Sequence, residues 1–303
     1  MSISHYIKEI GRGKDGARSL SRGQAADLLG QVLDGTACDL EVGAFCLAMR
    51  IKGETPTEMA GFLDAIDTRL NKIPTQGCAT VVLPSYNGAR KLPVLTPLLG
   101  LLLAREGLAV VIHGSSTEAH RVSTQNVLAA LNQPAQTAIQ TIVPGSLQFV
   151  PTELLCAGLQ RLLDVRRVVG LRNPAHSLVK LMNPCDGPAV IVSSYTHPEY
   201  ATSMAATFQL TGATTLLLRG TEGEPVADAR RTPAMDSVWR GQVTRVQEAQ
   251  SGSLAALPDL PAPEAQATAQ WIRSVLNGQA AVPAPIAQQV AHIVYLAHHN
   301  TNP

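Results

Sequence analysis

The sequence predicts an α/β protein in two parts: a small helical domain, then a larger α/β domain with a mostly parallel sheet. Three observations predict it. The first 70 residues carry apolar residues at helical spacing and no strand-like run. From Ala79 onward, short apolar runs rich in β-branched residues alternate with helical segments: ATVVL, LAVVI, AVIVS and TTLLL. Strand, crossover and strand in that order are the signature of parallel pairing. A length of 303 residues with 45% hydrophobic content supplies the apolar surface for a large core.

The elements follow in order. Tyr6, Ile7 and Ile10 give a short first apolar face. Ser21 caps a helix through Ala25, Leu28, Leu29 and Val32, with Gln24 completing the capping pattern only as an amide. Asp39 caps the next, which carries Val42, Phe45, Leu47, Ala48 and Met49. Thr55 before Pro56, with Glu58 three residues on, starts another helix through Met59, Phe62, Leu63 and Ile66. Ala79–Leu83 is then a strand, Leu92–Ala104 a buried helix, Leu108–Ile112 a strand and Val122–Leu131 a helix. Residues 134–151 hold short strands, and Thr152–Leu163 is helical. After the strand Ala189–Ser193 come a helix over Glu199–Leu210 and the strand Thr214–Leu218. Beyond 225 the chain reads as polar and proline-broken, with helices only at Ala267–Leu276 and Pro283–Ala297; His298 and His299 read as a frayed tail. The segment 161–183 interrupts the strands and packs back on the first helices. The expected domains are therefore 1–72 with 161–184, and 73–160 with 185–303.

Composition narrows the function. Aromatic residues are only 4%, too few for a broad base-stacking platform. The longest apolar run, Leu92–Ala104, is short of the roughly 20 residues of a membrane-spanning helix and is broken by Pro93 and Pro97. Residues 1–22 lack the apolar centre of a signal peptide. Five cysteines, an odd number with no CxxC pair, argue against a disulfide framework or a zinc ribbon and for reduced thiols in the cytoplasm. No membrane partner is expected.

Charge is uneven although the net is +1: residues 1–180 carry +4 and residues 181–303 carry −3. Residues 1–22 are +3 and residues 161–180 are +4. Lys8, Arg12, Lys14, Arg18, Arg166, Arg167 and Arg172 are the candidates for nucleic-acid phosphates, against the alternative of a solvated surface paired with Glu9, Glu41 and Asp164.

Several loops read as anion sites. PSYNGARK, Pro84–Lys91, follows a strand and precedes a helix, where open α/β sheets bind phosphate. Ser85 and Asn87 donate, Gly88 lets backbone approach, and Arg90 and Lys91 neutralise charge; a plain tight turn is the alternative. His113 follows the second strand as a ligand contact or a hydrogen-bonded edge histidine, with Arg121, Ser123 and Thr124 beyond it. Lys180 completes the phosphate candidates, near Arg172, Asn173 and His176. Glu222 and Glu224 in GTEGEP have a spacing that suits Mg²⁺ only weakly. Tyr86 and Tyr195 are the stacking candidates.

Taken in order, IKEIGRGKDGAR (7–18), MRIKGET (49–55), PSYNGARK, GLRNPAHSLVKLMNP (170–184), SSYTHPEY (193–200), GTEGE (220–224) and TAQWIRSVL (268–276) resemble the anthranilate phosphoribosyltransferase-like family, and within it the YbiB-type DNA-binding branch. The resemblance implies a helical domain that forms a homodimer, and a cleft that in the transferases holds phosphoribosyl pyrophosphate. It also implies departures. PSYNGARK stands for the transferases' GTGGD loop. Only His113 and Gly114, then Ser115, Ser116 and Thr117, remain of their Lys-His-Gly-Asn string. Glu224 and Pro225 stand where they carry an Asp-Glu pair for Mg²⁺. The expectation is a sequence-independent nucleic-acid-binding homodimer in the cytoplasm, favouring single-stranded DNA over duplex DNA or RNA. It has no cofactor and leans away from enzyme activity. The alternative is a Mg²⁺-dependent phosphoribosyltransferase with an altered acceptor.

Overall fold

A computed structural model describes residues 2–13, 15–116, 120–253 and 258–300. In chain order the elements are α1 (Ser4–Ile10), α2 (Arg22–Leu33), α3 (Asp39–Lys52), α4 (Pro56–Asp67), β1 (Thr80–Ser85), α5 (Thr96–Arg105), β2 (Ala109–Gly114), α6 (Thr124–Ala130), β3 (Leu147–Pro151), α7 (Thr152–Leu155), α8 (Ala157–Val169), α9 (Ala175–Leu178), β4 (Ala189–Tyr195), α10 (Pro198–Thr211), β5 (Thr214–Arg219), a 3₁₀ turn (Thr221–Gly223), β6 (Met235–Trp239), β7 (Gln242–Gln247), α11 (Ala265–Leu276) and α12 (Ala284–Asn300). They form two compact units, residues 1–71 with 152–184 and residues 72–151 with 185–303. Among the described residues no helix is long and apolar enough to cross a membrane.

The helical unit is organised by caps. Ser21 Oγ accepts from the Gln24 amide while Gln24 Oε1 accepts from Ser21, so the amide side chain completes a full capping box. The α3 cap is Cys38 rather than Asp39, because Glu41 reaches back to the Cys38 N–H. Thr55 and Glu58 form the box that starts α4. Glu58 does more than cap. Fully buried, its carboxylate accepts from the backbone N–H groups of Leu20 and Thr55, the Thr55 hydroxyl and Lys52 Nζ at 2.7 Å. One side chain thereby ties the entry to α2, the end of α3 and the start of α4. A side chain at Gly61 would meet the Arg22 carbonyl oxygen at 2.1 Å, so glycine sets the close approach of α4 to α2. Phe45 of α3 and Phe62 of α4 meet edge to face at 6.0 Å in the core.

The α/β unit is a seven-stranded sheet in the order β3-β2-β1-β4-β5-β6-β7. The first five strands in that order are parallel and the last two antiparallel. The chain runs outward from β1 to β3, then returns to place β4 beside β1. The order therefore reverses between β1 and β4, and the carboxyl ends there, Ser85 and Tyr195, flank the crevice where such sheets bind ligands. β1, β2 and most of β4 and β5 are buried, which explains their uninterrupted apolar runs.

The sequence reading misses three features here. The helix expected over Leu92–Ala104 starts only at Thr96: Pro93 disfavours helical backbone at Leu92, and Pro97 sits in the first turn, where its missing N–H has no helical partner to lose. The β6–β7 hairpin lies in the stretch that reads as polar. Its two-residue turn, Arg240 and Gly241, takes positive φ at both positions without the usual Asn-Gly signal. His299 is no frayed tail: α12 runs to Asn300, and His299 stacks on Tyr295 at 4.1 Å and meets Trp239 edge-on.

Replacing Glu58 by Ala leaves the buried Lys52 ammonium and three other donors without their acceptor. The expected loss is about 3 kcal/mol, seen as a lower urea midpoint for the helical transition.

Candidate functional site

The site begins where β1 ends. Ser85, Tyr86, Asn87, Gly88 and Ala89 are all buried, and Gly88 takes φ +61°, which closes a tight turn against Val122. The turn points donors at one spot. The N–H groups of Asn87 and Gly88 both donate at 2.8 Å to Oε1 of Glu224. On Oε2, Ser85 Oγ donates, Thr96 Oγ1 donates at 3.1 Å and Thr124 Oγ1 stands at 3.5 Å. Glu224 is 1% exposed and has no cationic partner among the described residues; neutral donors alone hold it.

Past Ala89, whose N–H donates to the Val122 carbonyl, three more amides repeat the pattern. The N–H groups of Arg90, Lys91 and Leu92 donate at 3.0, 2.8 and 2.9 Å to the carboxylate of Glu222. Arg121 stands 4.0 Å from the same group. Glu222 pays for this with a left-handed backbone, φ 51° and ψ 22°, a strain of order 1–3 kcal/mol for a residue with a side chain. The glycines on either side are required. A side chain at Gly220 would meet the Glu224 carbonyl oxygen at 1.9 Å, and one at Gly223 would meet Asn87 Nδ2 at 1.7 Å. Ser194 Oγ donates to the Gly223 carbonyl, and Gln289 of α12 holds the Pro225 carbonyl and the Ala227 N–H.

Beside this core opens a pocket of 1340 Å³, lined by the ends of β4 and β5, α10, residues 228–236 and the β6–β7 hairpin. Seven cationic side chains line it, Arg90, Lys91, Arg121, Arg219, Arg230, Arg231 and Arg245, against the carboxylates Glu222, Asp228 and Asp236. Arg230 pairs with Asp228 at 2.7 Å and Arg245 with Asp236 at 2.5 Å. Arg90, Lys91 and Arg219 form no ion pair among the described residues. Tyr195 lines the wall, where burial and then the Asp236 charge hold its phenol above the ordinary value, so it stays a neutral hydroxyl.

His113, next to the end of β2, is fully buried, with Nδ1 2.8 Å from Tyr86 Oη and no partner at Nε2 among the described residues. Burial lowers its pKa to about 3, so the imidazole is neutral and carries no charge for a phosphate. Tyr86, 5% exposed, is committed to this pair and presents no stacking face.

The sequence candidates divide between the two units. Ser85, Asn87, Gly88, Arg90, Lys91 and His113 lie in the α/β unit, while Lys180 follows α9 in the helical one. There too are Lys8, exposed, and Arg12 and Arg18, 2.8 and 3.8 Å from Glu9. Arg166 and Arg167 are in the last turn of α8, Arg167 3.3 Å from Asp164, and Arg172 follows, exposed. Lys14 and Thr117 lie outside the described residues. Sequence reasoning missed Thr96, hidden in an apolar run, and the pocket arginines 219, 230, 231 and 245. Arg219, a charge closing the apolar strand TTLLL, was the available signal.

Comparison with known proteins adds to this geometry. Residues 4–69 match the glycosyl transferase family, helical bundle domain. Over 302 residues the chain is 38% identical to YbiB of Escherichia coli (strain K12), spanning 96% of this chain and 93% of that one. The chain belongs to the YbiB family. It is also 26% identical over 281 residues to an anthranilate phosphoribosyltransferase of Salinispora arenicola (strain CNS-205), 86% of this chain and 76% of that one. Among solved structures, the anthranilate phosphoribosyltransferase of Thermus thermophilus aligns with a TM-score of 0.74 at 19% identity, over 97% of this chain and 88% of that one. That of Saccharomyces cerevisiae, in complex with PRPP and Mg, gives 0.70 at 14% identity, over 99% and 88%. The fold of this YbiB-family chain is that of anthranilate phosphoribosyltransferase: a helical bundle and a larger α/β part.

These relatives correct one expectation. The altered loops lean toward a chain outside the enzymes, but the likeness to anthranilate phosphoribosyltransferases runs along most of its length. The metal is a separate question. Glu224 and Glu222 are the carboxylates nearest the expected Mg²⁺ position, and N–H and O–H donors already occupy the oxygens of both. Pro225 offers no side-chain ligand, and among the described residues no group of three or more His, Cys, Asp or Glu could hold a metal. The residues present do not fit Mg²⁺.

The buried histidine predicts a pH dependence. Its folded pKa of about 3 lies below the ordinary 6.5, so the unfolded chain binds the proton first. The contribution is therefore absent above pH 6.5 and costs up to about 1.4 kcal/mol per pH unit below it, until about pH 3. Denaturant titration at pH 7.5 and pH 5 checks this: wild type loses about 2 kcal/mol more than His113→Asn.

Proposed function

We propose that this protein is a transferase-type enzyme. It takes a phosphorylated pentose such as phosphoribosyl pyrophosphate into the arginine-lined pocket of its α/β unit and delivers it to an altered acceptor, with no bound metal. The observation that carries this is the group of pocket cations with no ion-pair partner among the described residues, Arg90, Lys91 and Arg219 included, at the carboxyl edge of a sheet shared with phosphoribosyltransferases. In such a transfer the bond from the anomeric carbon to the diphosphate oxygen breaks, and its electron pair leaves with the diphosphate. Fixed guanidinium groups offset that developing charge. Pro198, Ala201, Ala205 and Val243 give the pocket an apolar wall that suits a flat acceptor, and Tyr195 donates a hydrogen bond there.

Diphosphate release from phosphoribosyl pyrophosphate, measured in EDTA with a panel of aromatic acids and bases, tests the proposal. Release that falls at least tenfold in Arg219→Ala supports it. No release with any acceptor overturns it.

A second reading rests on a different observation, the exposed cations Lys8, Arg18, Arg167 and Arg172 of the helical unit. A nucleic-acid strand, single-stranded DNA first, is their natural ligand, held by phosphate contacts without sequence preference. The exposed apolar side chains Leu40, Leu47 and Ile51 on α3 suit a homodimer contact, which would double the basic surface. Reduced thiols at Cys46, Cys156 and Cys185 suit a cytoplasmic setting. Fluorescence anisotropy with labelled oligonucleotides at two salt concentrations is the check. Binding that drops steeply with salt, and for all sequences alike on charge reversal at Arg166 and Arg167, supports this reading; salt-independent binding overturns it.

A further inference from the structure

We infer that Glu222 and Glu224 set the ligand specificity of this site by acting as tethered anions. They fill the backbone amides of the 85–92 loop and so exclude diphosphate from it.

Three features carry the inference. Five amides in one short loop, of residues 87, 88, 90, 91 and 92, each donate to a carboxylate of the 222–224 turn at 2.8–3.0 Å. Successive N–H groups converging in this way form an anion cradle, and the cradle has two lobes, one for each carboxylate. Second, among the described residues the lobes have little cationic support. Glu224 is held by neutral donors alone, and Arg121 stands no closer than 4.0 Å to Glu222. Neutral amides and hydroxyls serve a phosphate oxygen as well as a carboxylate, so what decides the occupant is which anion is present at higher effective concentration. A carboxylate on the same chain, two strands away, has that advantage. Third, the turn is shaped around the occupancy. Glu222 stays in a left-handed conformation, and Gly220 and Gly223 have no room for a side chain.

This accounts for the misfit with Mg²⁺. A metal–diphosphate pair needs free amides for the phosphates and free carboxylate oxygens for the metal, and here each satisfies the other. Phosphate ligands are left to the side-chain cations of the pocket, so the inference bears on the same site as the proposed function but does not require turnover.

Two variants test it. Glu222→Gly removes a carboxylate and relieves the positive φ. Glu224→Ala withdraws the acceptor of the Asn87 and Gly88 amides. The probe is inorganic pyrophosphate alone, titrated calorimetrically and followed by the backbone amide NMR signals of Asn87, Gly88, Arg90, Lys91 and Leu92. Wild type is expected to leave those amides unshifted. Either variant, folded at the assay temperature, is expected to bind at least tenfold more tightly and to shift the amides it frees. Pyrophosphate shifting those amides in wild type would overturn the inference. So would folded variants with no gain, or a gain that leaves the amides unmoved. A lack of turnover in wild type bears only on the transferase proposal.

Discussion

A carboxylate buried without a counter-ion has to be surrounded by donors, and Glu224 imposes that demand on four parts of the α/β unit at once. The end of β1 supplies Ser85, the loop after it two amides, α5 a threonine in its first turn and α6 another. Each of these segments is free to shift on packing grounds alone, because apolar contacts are not directional. The hydrogen bonds are directional. They fix where β1 stops, how α5 starts at Thr96, and why the turn after β5 needs two glycines. Loss of one donor leaves the others crowded about an under-satisfied charge, so the arrangement is held as a unit.

Much of the fold is legible in the sequence because burial leaves a pattern. The four central strands are continuous apolar runs, and a strand covered on both faces has no alternation to disguise it. The helix starts at Ser21 and Thr55 are legible because their capping chemistry is local. What escapes is what depends on partners distant in the chain. The β6–β7 hairpin carries Asp236 and Arg245, which satisfy each other across the pair and make the stretch look polar when read alone. The loop 84–92 is legible as an anion site, since glycine, hydroxyl and amide groups after a strand announce it. Its occupant is not, because Glu222 and Glu224 lie some 130 residues further on. Thr96 sits in an apolar run and gives no sign of its task.

Charge in the site is arranged in two layers. Inside, anions are matched by neutral dipoles in a water-poor setting. Outside, arginines and a lysine face a pocket open to solvent. A metal ion concentrates positive charge at a point and orders its ligands rigidly. Guanidinium groups spread it over planar forks on longer stems, and hydrogen-bond while they neutralise. A site built in the second way tolerates phosphates in more than one arrangement. That tolerance suits an altered acceptor, and equally a strand whose phosphates arrive at varied spacing.

Gln289 adds a constraint of time. It holds the Pro225 carbonyl and the Ala227 N–H from α12, the last helix of the described chain. During synthesis the 85–92 loop leaves the ribosome roughly 200 residues before this clamp, and domains acquire structure as they emerge. For roughly the first 130 of those residues the amides of Asn87, Gly88, Arg90, Lys91 and Leu92 lack the carboxylates that hold them. The turn that carries both carboxylates is thus clamped only once α12 is in place, long after the loop it fills has been made.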